Sequence, residues 1–187
     1  MFSLLAHGLR VSEPATSRRY RRVAPAMLLR ELPSLGSVLY LPTRPGMSDE
    51  VPRGLLVEAM SLAPLLQTRY LVAISAITSE GPREWIECVD RRGRLCARLY
   101  LLPDTDYLAW DALLTNCKTM AAMTTLMHTR LLRNIRPRSA HLLRFHWRQL
   151  AGLDVLGAEA PGQVSMLSKH LVGRVAGAEA VPLWPTL

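Results

Sequence analysis

The amino-acid sequence predicts an α+β fold, in which an antiparallel β-sheet has an N-terminal helix and C-terminal helices packed on it. Three observations support this fold class. Segments of alternating apolar and polar residues occupy the middle of the chain, and apolar residues at helical spacing follow them. Hydrophobic residues make up 49% of the 187 residues, which is enough to form the packed core of a single domain.

The first 23 residues are expected to form a flexible basic arm, because they mix Ser, Pro, Thr and Arg without a regular period. We therefore place one domain at residues 24–187, with a sheet region at 35–102 and a helical region at 104–176. The arm contains the densest cluster of charge, which is typical of a solvated segment and consists of Arg18, Arg19, Arg21 and Arg22.

The sheet region begins with short elements separated by proline and glycine. Residues 24–32 predict a helix that ends at Pro33, and residues 37–41 predict a strand. Residues 42–54 contain three prolines and two glycines, which predicts a loop. Residues 69–78 are almost continuously apolar, as expected of a central strand.

The best-defined element is a hairpin centred on Gly93. Residues 84–90 alternate, so that Trp85 and Glu87 lie on one face while Ile86 and Cys88 lie on the other. Residues 94–101 alternate in the same way after a short turn. Two alternating segments joined by a turn containing glycine predict an antiparallel pair of strands.

The helical region is predicted to begin where Asp104 or Thr105 can cap a helix with its side-chain oxygen. Apolar residues at spacings of three to four then predict further helices at 119–133, 139–150 and 163–175. A sheet followed by helices is the chain order of an α+β protein.

The net charge of +8 comes almost wholly from arginine and favours an anionic partner, such as nucleic acid, anionic lipid or a small dianion. Outside the arm the arginines are scattered, so we do not expect nucleic acid as the main partner, and a third hypothesis, nucleic-acid binding through the arm at residues 1–23, rests on charge alone. No apolar run approaches the roughly 20 residues of a membrane span, and the N-terminus does not resemble a signal peptide. We expect a cytoplasmic protein.

The three cysteines, Cys88, Cys96 and Cys117, lack the paired spacing of a zinc or redox site. We expect them to be small core residues. The sequence also has no nucleophile beside a base, no paired carboxylates at catalytic spacing and no glycine-rich phosphate loop. No catalytic residue is therefore predicted.

Two segments resemble the bacterial haemin-utilisation, or HemS-like, family. They are MLLRELPSLGSVLYLPTR at residues 27–44 and WIECVDRRGRLCARLYLLPDTDYLAWDALL at residues 85–114. A third segment, HLLRFHWRQLAGLDVLG at residues 141–157, is similar to the bridging helices that join the two sheet repeats of longer members. The chain thus looks like a single repeat with its bridging helices.

The resemblance implies a haem-binding, haem-transport or haem-utilisation accessory protein of bacterial iron acquisition, with haem as its cofactor. Haem degradation is implied by the family alone. The sequence departs from the family pattern, since it has no histidine between His7 and His128 and lacks the second repeat that supplies the axial histidine. The alternative is a haem-free divergent relative that acts as a protein-interaction or regulatory module. Two single-repeat chains can also form a homodimer that imitates the tandem arrangement.

Haem iron needs an axial donor, and the propionates of haem need positively charged partners. We take His146, beside Trp147 in the third segment, as the first candidate for the metal ligand, and His128 as the second. Arginine binds carboxylates through two parallel hydrogen bonds, so the candidate propionate anchors are Arg69, Arg98 and Arg144. The alternative for each of these residues is an ordinary surface or core role.

Overall fold

The computed structural model describes residues 16–44, 54–78, 81–120 and 136–184. Within these residues the strands are β1 (Thr16–Arg22), β2 (Ser37–Pro42), β3 (Leu56–Val57), β4 (Tyr70–Thr78), β5 (Gly81–Val89), β6 (Leu95–Tyr100), β7 (Lys118–Thr119), β8 (Ala140–Leu150), β9 (Leu153–Glu159) and β10 (Leu183–Trp184). The described helices are α1 (Pro25–Glu31), α2 (Ala63–Leu66), α3 (Tyr107–Thr115) and α4 (Met166–Ala178), and a 3-10 turn spans Leu32–Leu35.

All the described strands belong to one sheet, whose order is β3-β9-β8-β2-β6-β5-β4-β1-β7, with β10 beside β8. Neighbouring strands are antiparallel except for the two parallel pairs β3–β9 and β8–β10. The fold is therefore mixed α+β, with a large sheet and few helices. No helix among the described residues is long and apolar enough to cross a membrane.

One face of the sheet is covered by α1, α2 and α3, and we call it the three-helix face. Strand residues such as Val38, Tyr40 and Leu99 pack there with helix residues such as Leu28 and Leu113, and all five are fully buried. Side chains alternate across a strand, so this packing also determines which residues point the other way. The main hydrophobic core lies on this side.

The opposite face is covered by α4, and we call it the α4 face. Val172 and Val175 of α4 pack against Leu39 and Tyr100 of the sheet in a second, smaller core. Farther toward β1, Tyr20 packs with Val72 and neighbouring residues in a third core on this face. One helix covers less of the sheet than three do, which leaves room for a binding site beside α4.

The predicted hairpin around Gly93 is confirmed as β5 and β6. Gly93 has φ 78°, which favours glycine, and the Asp90 carboxylate holds the turn. Asp90 accepts hydrogen bonds from the backbone N–H groups of Arg92 and Arg94, each at 2.8 Å, and from Arg94 Nε at 2.7 Å. A carboxylate that binds backbone donors in this way fixes the tight turn.

Several other predicted elements are also confirmed. The helix at 24–32 is α1, the strand at 37–41 is β2, and the strand at 69–78 is β4. The helix after the sheet is α3, but the predicted cap at Asp104 or Thr105 is wrong, because the capping residue is Asp106, whose side chain accepts from the Ala109 N–H at 2.9 Å. The helix predicted at 163–175 is α4, capped by Ser165.

The predicted helix at 139–150 is wrong, because these residues form β8, which pairs with β2 and β9. The region 104–176 is accordingly a mixture of helix and strand. Leu143 and Phe145 point to the three-helix face while Ala140 and Leu142 point to the α4 face, which is a period of two. The adjacent apolar residues Leu142 and Leu143 break the alternation expected of a strand and so favour a helix, whereas in the structure they lie on opposite faces of β8.

The flexible arm predicted at residues 1–23 is wrong for residues 16–22, which form β1 along β4. Tyr20 is buried on Val72, and this contact together with the backbone ladder orders a segment whose composition indicates a solvated arm. The predicted helix at 119–133 lies mostly outside the described residues, and so does much of the predicted loop at 42–54.

Candidate functional site

A hollow of about 810 Å³ lies on the α4 face between β8, β10 and the beginning of α4. Its apolar wall comes from Leu142, Leu183 and Trp184, and Leu183 and Trp184 are 49% and 55% exposed. Polar groups at its rim include Gln163 and Lys169. Pockets for small molecules typically measure about 300–1,000 Å³ and combine apolar walls with a few polar groups, so this hollow has the size and lining of a binding site.

Hydrogen bonds to Asp104 hold the beginning of α4 beside the hollow. The Asp104 carboxylate accepts from the Ser165 N–H at 2.8 Å, while the Asp104 N–H donates to Ser168 Oγ at 3.3 Å. Hydrogen bonds from Ser168 and from the Ser165 backbone hold the pKa of Asp104 below its usual value. Asp104 therefore stays a carboxylate that connects the end of β6 to the beginning of α4.

His146 lies on the α4 face of β8, opposite Gly157 of β9. Gly157 has no side chain, and a Cβ at that position would clash with both the His146 ring and the Glu58 carboxylate. The Nε2 atom of His146 is 3.9 Å from Glu58 Oε2, and neither ring nitrogen has a hydrogen-bond partner among the described residues. Glu58 also accepts from Arg148 Nη1 at 3.1 Å. The imidazole thus lies beside a carboxylate with its donors uncommitted.

Arg98 is paired with carboxylates of the protein itself. Its Nε donates to Glu87 Oε1 at 3.0 Å, and its Nη1 donates to the two carboxylate oxygens of Glu179 at 2.7 and 2.6 Å. Burial opposes the charged form of Arg98, but Glu87 and Glu179 outweigh it and raise the pKa of the guanidinium. Tyr100 Oη also donates to Glu179, at 2.6 Å. Arg98 therefore joins the end of α4 to the sheet.

The other two predicted arginines lie in different surroundings. Arg69 precedes β4 and donates to the carbonyl oxygens of Leu66 and Thr68, at 3.2 and 3.0 Å, beside α2 on the three-helix face. Arg144 is exposed on the α4 face of β8, between Ser37 of β2 and Glu159 of β9. Arg69 is thus on the opposite side of the sheet from Arg144.

The sheet register separates Arg98 from Arg144. Arg98 pairs with Leu41 and Arg144 pairs with Ser37 on the same strand, β2. Four strand positions correspond to about 13 Å, because each residue advances the chain by about 3.3 Å. The structure therefore brings Arg144 and His146 to the same face as the hollow, although neither lines it. Arg98 also lies on this face but is paired with Glu87 and Glu179, and Arg69 lies on the opposite face. The remaining predicted residue, His128, lies outside the described residues.

Lys169, Trp184 and Leu142 line the hollow, and none of them is a predicted site residue. Lysine is rare in this chain, which has only Lys118 and Lys169. That rarity is the sequence feature by which Lys169 can be singled out as a candidate site residue. The position of Trp184 depends on the parallel pairing of β10 with β8, which joins residues far apart in sequence. Local patterns do not reveal that pairing.

The cysteines are buried on the three-helix face, as expected of core residues. Burial raises the pKa of Cys96 to about 12, and it also raises the pKa values of Cys88 and Cys117. Such thiols stay protonated and unreactive at neutral pH. Among the described residues, no group of three or more His, Cys, Asp or Glu side chains is arranged to hold a metal ion.

No family model and no curated protein matches the chain. Among solved structures it is similar to the heme-degrading enzyme ChuS of Escherichia coli O157:H7, with 20% identity, 63% of this chain and 38% of that chain covered, and a TM-score of 0.43. A second ChuS structure, described as an E. coli heme oxygenase, matches with 19% identity, coverage of 65% and 40%, and a TM-score of 0.43. Holo-PhuS, a heme-binding protein from Pseudomonas aeruginosa, matches with 23% identity, coverage of 56% and 35%, and a TM-score of 0.39. The matched part of this chain spans two fifths or less of the length of each of these proteins.

Proposed function

We propose that the protein binds haem or a related tetrapyrrole on the α4 face, as an accessory protein of bacterial iron acquisition. The observation on which the proposal rests is the hollow beside α4, with its apolar wall and its lysine. The sequence segments at 27–44 and 85–114, which resemble the haemin-utilisation family, point to the same ligand class. We expect the protein to act in the cytoplasm.

Two cations are suited to the carboxylates of such a ligand. Lys169 is at the rim of the hollow. Arg144 lies two residues beyond Leu142 on the same face of β8, which corresponds to about 6.6 Å along the strand. A flat apolar ligand seated against Leu142 and Trp184 can extend its charged groups toward both. Arg98 and Arg69 are not part of this proposal, because carboxylates pair with Arg98 and Arg69 lies on the other face.

We keep His146 as the proposed axial donor. It follows Leu142 by four residues on the same face of β8, about 13 Å along the strand, so a ligand must extend past Arg144 to reach it. Neutral imidazole is a common axial ligand of haem iron. Both ring nitrogens of His146 are buried and lack hydrogen-bond partners among the described residues, so the ring must turn outward to bind iron. His128 remains the second candidate from the sequence.

Titration of the purified protein with haemin tests the proposal. We expect a saturable Soret band at one haemin per chain, and we expect Lys169→Gln and Trp184→Ala to weaken binding. Lys118→Gln is the matched control, because Lys118 is exposed on β7, away from the hollow. His146→Ala should change the Soret position if His146 ligates the iron. Haemin absorbance that does not change on adding protein, or equal binding by Lys169→Gln and Lys118→Gln, would contradict the proposal.

The second candidate function is a haem-free interaction or regulatory module. The pairing of Arg98 with Glu87 and Glu179 favours it, because this predicted propionate anchor serves the fold instead. The position of His146 next to Glu58 also favours this module, because the proposed axial donor then contacts a carboxylate of the protein itself. A stable heteromeric complex in cell extract, together with no Soret shift at stoichiometric haemin, would support this module over haem binding. Size-exclusion chromatography of the purified chain would also test the proposed homodimer.

A further inference from the structure

A strongly basic surface lies at the β1 edge of the sheet, far from the hollow in strand order. Arg18, Arg19 and Arg22 lie on β1, and Lys118 lies on the short strand β7 beside it. We call these four residues the basic edge. No described residue forms a salt bridge with any of them. Because β1 is a paired strand, these residues are gathered along one edge of the sheet.

The register of the two edge strands places like charges opposite each other. Arg22 pairs directly with Lys118, and Arg21 pairs with Thr119, whose hydroxyl it contacts. Like charges directly across a strand pair destabilise a sheet, whereas an anion lying between them turns the repulsion into attraction. The pairing of Arg22 with Lys118 therefore indicates an anionic partner at this edge.

The geometry of the strand extends this surface. Arg18 and Arg22 point to the α4 face on either side of Tyr20, which is only 8% exposed, and they are separated by about 13 Å along the strand. Arg19 points to the other face and is exposed. The cations are thus spread along an edge rather than gathered around one point, which suits a chain of repeated negative charges better than a single small anion.

We propose that the basic edge binds the phosphate backbone of a nucleic acid duplex without reading its sequence. Guanidinium groups match phosphate oxygens through two parallel hydrogen bonds. Recognition of single strands relies on exposed aromatic side chains for stacking, but Tyr20, the aromatic residue of β1, is buried. Binding to a membrane surface usually combines basic residues with inserted apolar side chains, and β1 has no exposed large apolar side chain. This site is separate from the proposed haem site.

Fluorescence anisotropy with a short labelled DNA duplex of mixed sequence, measured across a series of salt concentrations, tests the proposal. Each phosphate contact contributes about −0.9 to the slope of log Kobs against log salt concentration. The triple variant Arg18→Gln, Arg22→Gln and Lys118→Gln should therefore bind more weakly and show a slope shallower by about 2.7. An RNA duplex of the same sequence should respond in the same way, because the proposed contacts are to the backbone.

The matched control is the triple variant Arg30→Gln, Arg136→Gln and Arg138→Gln, which removes the same charge from exposed positions elsewhere. It should keep the slope of the unmodified protein. Equal slopes for the two triple variants would overturn the proposal, as would absence of duplex binding at low salt. Loss of binding to phosphatidylserine vesicles in the edge variant, with no duplex binding by any form, would assign the basic edge to lipid instead. Thermal unfolding of each variant checks that it is folded.

Discussion

Gly157 and His146 illustrate how one missing side chain positions another. The ring of His146 occupies the space that a Cβ at position 157 would need, and the Glu58 carboxylate borders the same space. Such close cross-strand contacts are specific, because interiors are packed as tightly as crystals of small molecules. The orientation of the proposed axial donor therefore depends on a glycine of the neighbouring strand.

We predict that Gly157→Ala lowers the free energy of unfolding by only about 1 kcal/mol, because the added methyl group must displace the His146 ring and the Glu58 carboxylate, which are the ends of partly exposed side chains. The double variant Gly157→Ala with His146→Ala should recover part of this loss, since the ring is then absent while the Glu58 carboxylate still borders the added methyl group. Urea denaturation of the two single variants and the double variant gives the coupling energy. Additive losses would mean that His146 does not occupy the space above Gly157.

The burial of His141 predicts that the stability of the folded protein depends on pH. It is buried beside Tyr40, its Nε2 lies 2.7 Å from Ser139 Oγ, and burial lowers its pKa below the ordinary value of 6.5. The unfolded chain thus binds a proton more readily than the folded protein does. The neutral form contributes stability that is complete above pH 6.5 and is lost as the pH falls from there through the lowered pKa of the folded state.

We predict that His141→Gln reduces the loss of stability between neutral pH and mildly acidic pH. Midpoints of urea denaturation at each pH give the comparison. His170→Gln is the matched control, since it makes the same substitution at an exposed histidine on α4. An identical acid response in the His141→Gln protein and the unmodified protein would contradict the assignment.

At the scale of elements, the β8–β9 hairpin has a suboptimal turn. Ala151 has φ 51° and Gly152 has φ 79°, so both turn residues adopt the left-handed region that a two-residue hairpin turn requires. Glycine adopts this region readily, but alanine does so at a cost of about 1–2 kcal/mol. The strain lies at the tip of the hairpin that positions His146.

We predict that Ala151→Asn raises the free energy of unfolding by about 0.5–1 kcal/mol, because Asn-Gly is the preferred pair for this turn. The matched control is Ala112→Asn, at an exposed position within α3, where asparagine should lower stability by about 0.5 kcal/mol. Chemical denaturation of both variants measures the effect. A loss of stability in Ala151→Asn would show that the turn is not limited by backbone strain.

The sequence predicts elements well where the signal is local. The β5–β6 hairpin follows from alternation on both sides of Gly93, and α4 follows from its capping serine and spaced apolar residues. It predicts β8 poorly, because Leu142 and Leu143 are apolar neighbours whose different environments depend on β2 and α4. The candidate site was hardest to predict, since its walls come from residues 104, 142, 160–165 and 183–184.

At the scale of the whole molecule, the sheet separates three kinds of surface. The three-helix face buries the main core and the cysteines, the α4 face has the hollow and His146, and the β1 side has the cations of the basic edge. On the α4 face, Arg98 joins the sheet to the end of α4, because it binds Glu87 of β5 and Glu179. Chain segments far apart in sequence therefore meet at each proposed site, which explains why site residues predicted from local motifs fall in several places.

The pairing of β2 with β8 joins Ser37 to Arg144. During synthesis β2 therefore leaves the ribosome more than a hundred residues before the strand with which it pairs. Until then one side of β2 has no neighbour, and its backbone N–H and C=O groups are open to pairing with another chain. Contacts between such distant residues slow folding. We therefore expect the free side of β2 to be open to wrong pairing until β8 has been synthesised.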